Sequence, residues 1–199
     1  MADLRRMPSV SRIYFLECSG NSSTNAIAVE PPQGSAGLIH GLVSCADWTG
    51  IPLGLLLDEA GVDPKAKWML VEGADTAALT RSVPLTKAWD DAIVVLYQNG
   101  QRLMAEQGYP VRLLLPGWEG NMNIKYVRRI KITDQPGMTY YEARNYSPLL
   151  PDGRAYKFYF VNEVKSFITH PSFGMKINGP GYYDVNGIAY SGSGKIKRV

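Results

Sequence analysis

Cysteine and histidine are scarce in this 199-residue chain, which has two of each. Cys18 and Cys45 lack the paired spacing of a zinc site, and two distant cysteines do not make the framework of a disulfide-stapled domain. A bridge between them is neither demanded nor forbidden. His40 and His170 are far apart, have no cysteine or carboxylate at ligand spacing, and read as structural. No apolar run has the length of a membrane span, and Met1-Ala-Asp-Leu-Arg-Arg-Met7 lacks the apolar centre of a signal peptide. Charge excess is also small. A net +3 over 20% charged residues gives no field suited to nucleic acid or an anionic membrane, and neither partner is expected. Without a glycine-rich phosphate loop before a helix or a Gly-x-Ser-x-Gly elbow, hydrolase readings have no anchor. No fixed-period repeat or low-complexity tract appears.

What remains is enough for a sizeable core: 45% of residues are hydrophobic, which suits one domain plus an appendage. Ile13 to Leu16 is an apolar, β-prone run that ends at Cys18, and Gly20-Asn21 permits a tight turn after it. Residues 26–40 read as a polar surface loop. Pro52 and Gly61 bracket a short helix with Leu53, Leu55, Leu56 and Leu57. Lys67 to Glu72 reads as a strand and Pro84 to Asp90 as a short helix. Ala92 to Tyr97 is a buried strand, followed by the hairpin signal Asn99-Gly100. Gly108 to Gly117 frames another buried strand. The alternation of Ile124, Tyr126, Ile130 and Ile132 with Lys125, Arg129 and Lys131 reads as a strand with one solvated face. Phe158 to Val161 and Val164 to Thr169 read as β, as do short segments from Met175 onward. The fold class expected is α+β, strand-dominated, with a boundary near residues 165–172 that divides a main domain, 1–168, from a tail, 169–199.

A lone free cysteine is more often a small buried hydrophobe than a ligand. Phe15-Leu-Glu-Cys-Ser-Gly-Asn-Ser22, however, resembles the molybdenum-ligand segment of the sulfite oxidase family, in which a Cys-x-Gly-Asn turn supplies the protein thiolate. Ala46-Asp-Trp-Thr-Gly50, Gly108-Tyr-Pro-Val-Arg-Leu-Leu-Leu-Pro-Gly117 and Asn123-Ile-Lys125 are similar to further segments of that family, in its order. Within the family the text is most similar to the sulfane dehydrogenase branch of bacterial thiosulfate-oxidising systems. The resemblance implies a strand-rich mixed molybdopterin domain, with residues 169–199 as the first strands of an immunoglobulin-like β-sandwich used for dimerisation.

By the same resemblance, Cys18 is the metal ligand and Tyr146 an active-site tyrosine. Arg112 would contact the pterin phosphate, where a planar guanidinium suits an anion better than a lysine's point charge. Lys125, with backbone groups of Asn123 and Ile124, would hold the pterin, and Asp75 would touch its ring system. Gln107 stands where many oxidases have histidine. The cofactor implied is molybdenum-molybdopterin, the acceptor a c-type cytochrome, and the substrate sulfane sulfur on a carrier protein. Ser22-Ser23 replaces the arginine usual after the turn in sulfite oxidases, which weakens the case for free sulfite; Ser22→Arg is expected to improve its use. The alternatives are a sulfite dehydrogenase or oxidase, and an inactive fragment or interaction relic. The match begins in the family domain's interior and ends early in the dimerisation domain, so a piece truncated at both ends is expected, with the complete parent a periplasmic homodimer. A sulfoxide-reducing relative is disfavoured by the tail.

Overall fold

The computed structural model describes residues 1–23, 25 and 28–199. Thr24, Ala26 and Ile27, which belong to the cysteine segment and the connection after it, lie outside the described residues. The elements, in chain order, are β1 (Val10–Glu17), α1 (Ala36–His40), β2 (Val43–Pro52), α2 (Leu53–Glu59), β3 (Trp68–Gly73), β4 (Thr80–Pro84), α3 (Leu85–Asp90), β5 (Ile93–Gln98), β6 (Gln101–Arg102), β7 (Arg112–Leu114), β8 (Val127–Thr133), α4 (Tyr140–Arg144), β9 (Lys165–His170) and β10 (Asn186–Tyr190). Strands dominate and the helices are short, which bears out the α+β expectation. Among the described residues no helix is long and apolar enough to cross a membrane.

One sheet runs β1-β2-β5-β6, with β7 also paired to β5; a second runs β4-β3-β8; β9 and β10 form a third. Every pair is antiparallel. β5 holds the first sheet together because both of its faces are buried. Val94 and Leu96 join the larger core with Ile51, Met69, Val71, Leu113 and Ile124. Ile93 and Val95 face Trp48 and Leu114 on the other side, as the period of two along a strand requires. The β5–β6 hairpin turns at Asn99 (φ 51°) and Gly100 (φ 75°), the paired positive φ values that suit a two-residue turn and that an Asn-Gly sequence readily adopts.

Local chemistry overrides the sequence reading in three places. Residues 36–40 form α1 rather than loop, because the Ser35 hydroxyl accepts the Leu38 N–H at 3.2 Å and caps the helix. The strand expected from Ile124 begins only at Val127, since Tyr126 has φ 54°. Phe158 to Val161 does not pair as a strand. Phe158 has φ 58°, Phe160 stacks on Trp118 at 4.4 Å, and Val161 contributes one isolated bridge, to Trp118. In the tail, only Asn186–Tyr190 pairs as a strand among the described residues, and its partner is β9. The boundary expected after residue 168 falls within β9.

Candidate functional site

The cysteine turn is built on the end of β1, pinned to β2 from Val10↔Gly50 to Glu17↔Val43. Cys18 continues that pairing by donating its N–H to Leu42 O at 3.0 Å. The chain then reverses: Asn21 N–H bonds Cys18 O at 2.9 Å, and Gly20 N–H points at Cys18 Sγ at 3.4 Å. Cys18 is exposed and Cys45 is also a free thiol, so the bridge left open by the sequence is not formed. Gly120 packs against the turn, and a Cβ there would lie 2.9 Å from Glu17 O. Only glycine allows so close an approach.

Beneath the thiol lies Glu17, 5% exposed. Its Oε1 accepts from Asn21 Nδ2 at 2.9 Å and from Lys165 Nζ. Lys165 also donates to Ser22 Oγ at 3.1 Å, and Ser22 shares a 2.6 Å hydrogen bond with His40 Nδ1. Beside the turn opens a cavity of about 160 Å³, whose walls include Cys18, Glu17, Glu119, Tyr159, Glu163 and Lys165. The position after the Gly-Asn turn carries no cation of its own, but Lys165 reaches it from β9. That charge is matched by Glu17, and the cavity wall adds two further carboxylates.

Burial, followed by the Lys165 charge, holds His40 below its ordinary 6.5. A histidine held neutral in the fold contributes stability that is full above the unfolded value and declines as pH falls through it. The stability of the wild type should therefore drop on going from pH 7.5 to 5.5, and His40→Gln should flatten that drop. Urea unfolding at the two pH values measures it. Glu119 is pushed above the usual carboxylate range by burial, against the pull of its hydrogen bond from Asn121.

The second half of the site is a buried ion pair. Arg81 and Glu142, both 0% exposed, meet at 2.9 Å. Glu142 also accepts the Ser82 N–H at 2.8 Å and the Thr139 hydroxyl, and Arg81 Nη1 donates to Asn121. The guanidinium lies over the ring of Tyr146, 4.6 Å from its centroid. Tyr146 is half-buried, and burial raises its pKa first, with the neighbouring Cys18 among the smaller contributions. Cys18 and Tyr146, both expected from sequence, are thus within electrostatic reach of one another.

The remaining expected residues converge on one edge, linked to Cys18 by the loop 118–125. Arg112, 7% exposed, donates to Gln107 O at 3.0 Å and Asn123 O at 3.3 Å and lies 4.9 Å over Trp48. Burial lowers its pKa to about 10, and its Nε is buried without a partner. Lys125 donates to Glu106 O at 2.8 Å and flanks Gly108. Asp75 sits in the turn that follows β3, its carboxylate accepting the Leu79 N–H at 3.0 Å; the adjacent Ala74 N–H bonds Tyr126 O at 2.8 Å. Gln107 spends its side-chain oxygen on Met104 N–H. The side chain of Asn123 supports its own loop, bonding Leu115, Trp118 and Glu119. The N–H groups of Asn123 and Ile124 bond Gly120 O and Met122 O, so these two residues have only carbonyl lone pairs to spare. Sequence reasoning missed Glu17, Arg81, Glu119, Glu142 and Lys165. Glu17, directly before the cysteine, carried the one local signal.

Among the described residues no group of three or more His, Cys, Asp and Glu is placed to hold a metal ion. The strand-rich domain thus presents the Cys18 thiol at a strand end, near the half-buried Tyr146 that packs on the buried Arg81, and carries Arg112 on a separate edge. Residues 1–141 match the family model described as oxidoreductase molybdopterin binding domain, and the chain belongs to that family. The resemblance read from its motifs is borne out. The chain is similar to the sulfane dehydrogenase SoxCD from Paracoccus pantotrophus, with 40% identity, a TM-score of 0.91 and coverage of 97% of this chain and 49% of that one. It is 30% identical to the mitochondrial sulfite oxidase of Drosophila melanogaster, over 98% of this chain and 37% of that protein. It is 32% identical to the NADPH nitrate reductase of Beauveria bassiana, over 90% of this chain and 22% of that protein. The chain thus spans about half of the solved relative and less than two-fifths of these curated ones.

Proposed function

We propose that this chain is the molybdopterin-binding part of a sulfur oxidoreductase that acts on sulfane sulfur held by a carrier protein and passes electrons to a c-type cytochrome. The observation that carries the reading is the Cys18 thiol, presented from a rigid strand end beside a cavity whose lysine is already paired. Free sulfite is the second substrate reading, favoured by the similarity to sulfite oxidase. The periplasm is the proposed compartment, and residues 169–199 the proposed beginning of a dimerisation domain.

The residues present fit the cofactor. Cys18 would be the metal ligand, bound as thiolate. Arg112, with its unpartnered Nε, would meet the phosphate, and Lys125, Asp75, Gln107 and carbonyls of Asn123 and Ile124 would hold the pterin. When bound, molybdenum-molybdopterin supplies two-electron oxidation of sulfur, with oxygen drawn from water. Tyr146, kept a phenol at neutral pH, can donate a hydrogen bond into the site, and Arg81 holds its ring in place. Glu119 retains a proton to higher pH than a surface glutamate does. The carboxylates of Glu119 and Glu163 oppose a small dianion, whereas a sulfur chain on a carrier arrives with binding energy from elsewhere.

The test is acceptor reduction by the cofactor-loaded chain. Faster cytochrome reduction with carrier-bound sulfane than with sulfite supports the reading; turnover confined to sulfite contradicts it. Glu163→Gln removes an exposed wall charge and should lower the KM for sulfite by about threefold to tenfold with kcat unchanged, the scale of one charge at the surface. Ser22→Arg should act in the same direction but less, because Lys165 already lies beside Ser22.

A further inference from the structure

We infer that the β9–β10 hairpin, which lies beyond the 141 residues matched by the family model, is a working part of the Cys18 site, and that Lys165 positions the thiol-bearing turn. The chemical half of this inference rests on reading Cys18 as a metal ligand; the structural half does not.

Within the turn, Asn21 N–H bonds Cys18 O, Gly20 N–H points at Sγ, Ser23 N–H bonds Gly20 O and Asn21 Nδ2 bonds Glu17, while Cys18 N–H and Asn21 Oδ1 tie the turn to Leu42 on the same side. Lys165, 148 residues downstream of Glu17, ties both sides of it together. The ammonium meets the buried Glu17 carboxylate, Ser22 Oγ at 3.1 Å and Asn21 O at 3.4 Å, so the residues on either side of the thiol share one cation. Other residues of the same segment reinforce that grip. Phe167 stacks on His40 at 4.4 Å, which in turn bonds Ser22. The Ser172 hydroxyl accepts the Ala36 N–H at 3.0 Å, and the Tyr190 ring meets Phe15 at 4.8 Å. Gly120 closes on the turn through Glu17 O.

Without the ammonium, Glu17 would be a buried carboxylate left with Asn21 and the neighbouring Tyr190 hydroxyl and no opposite charge, a state that the chain relieves by opening the turn to water. Opening the turn moves Sγ, and residues that orient a metal ligand commonly change metal affinity 10- to 100-fold when lost. Lys165 is therefore a positioning residue: it acts on the metal site through Glu17, Asn21 and Ser22.

The experiment compares the wild type with Lys165→Met and Lys165→Arg. Hydrogen exchange is read on a peptide spanning residues 17–23 of cofactor-free protein. Molybdenum content and the molybdenum(V) electron paramagnetic resonance signal are read on chain expressed in a host that makes molybdopterin. Lys165→Met should speed exchange in 17–23 by about tenfold or more, with β3 and β5 peptides unchanged. It should also cut molybdenum content by about tenfold and shift the resonance of what remains, and Lys165→Arg should restore most of each. Exchange at the wild-type rate in Lys165→Met overturns the positioning role. Faster exchange with unaltered metal content and signal overturns the link to the metal site. Faster exchange in Lys165→Met, beside a wild type that takes up no molybdenum, supports the positioning role and removes Cys18 as ligand. Ser22→Ala deletes one acceptor while keeping the Glu17 pair, and should give a smaller acceleration even if Lys165→Met does not fold.

Discussion

On the proposed function, Cys18→Ser is expected to leave a folded chain whose sulfur-dependent cytochrome reduction falls below about one-hundredth of wild type, since loss of a metal's direct ligand would exceed the 10- to 100-fold cost of losing the groups behind it. The substitution is nearly isosteric, and the turn keeps its bonds from Asn21 to the Cys18 carbonyl and from Lys165 to Glu17. What it removes is the soft sulfur donor. A serine hydroxyl stays protonated at neutral pH and offers a harder, weaker donor. Cys45→Ser is the matched control. That thiol, also free and exposed, lies opposite Phe15 in the β1–β2 ladder, and its loss should leave turnover and metal content near wild type. Equal turnover in Cys18→Ser and wild type would end the assignment of Cys18.

Arg81→Met should be the most destabilising single change near the site. It strands Glu142, which is fully buried, with the Ser82 N–H and Thr139 hydroxyl as its remaining partners. Breaking such a pair from one side costs about 3–5 kcal/mol. For a chain of this length, each kcal/mol lowers Tm by roughly 2–4 °C, so a drop of roughly 6–20 °C is expected by calorimetry. Adding Glu142→Gln removes the stranded charge and should recover part of the loss. Arg81→Lys should not match wild type, because a point ammonium cannot reach Glu142 and Asn121 in the directions set by the guanidinium while also covering the Tyr146 ring. A Tm within a degree or two of wild type in Arg81→Met would show that the buried pair does not hold this part of the fold.

The local architecture was legible wherever one strong short-range signal decided it. The apolar run 92–97 followed by Asn99-Gly100 could only be a buried strand and a tight turn. The Pro52 to Gly61 frame defined α2, and the end of β1 at a cysteine turn was visible from Ile13 to Asn21. Signals that depend on a single side chain were not legible. The Ser35 cap turned an apparent loop into α1, and positive φ at Tyr126 and Phe158 interrupted runs that alternate well enough to read as β.

The site divides in the same way. Cys18 and the arginine-bearing edge could be found because they sit in contiguous motifs. The pair Arg81–Glu142 spans 61 residues and Glu17–Lys165 spans 148, and in each case a charged residue inside a mostly apolar stretch reads as a solvated face until its partner is known. Glu17 shows why. By alternation along β1 it is one more polar strand position, yet it is nearly fully buried because Lys165 arrives from β9.

The most direct measurement is the molybdenum-to-protein ratio of the purified chain, by elemental analysis after expression in a host that makes molybdopterin. The account predicts a ratio approaching one per chain in the wild type and in Cys45→Ser, and loss of that metal in Cys18→Ser. A wild-type chain that emerges without molybdenum, while a known family member expressed beside it is filled, would contradict it.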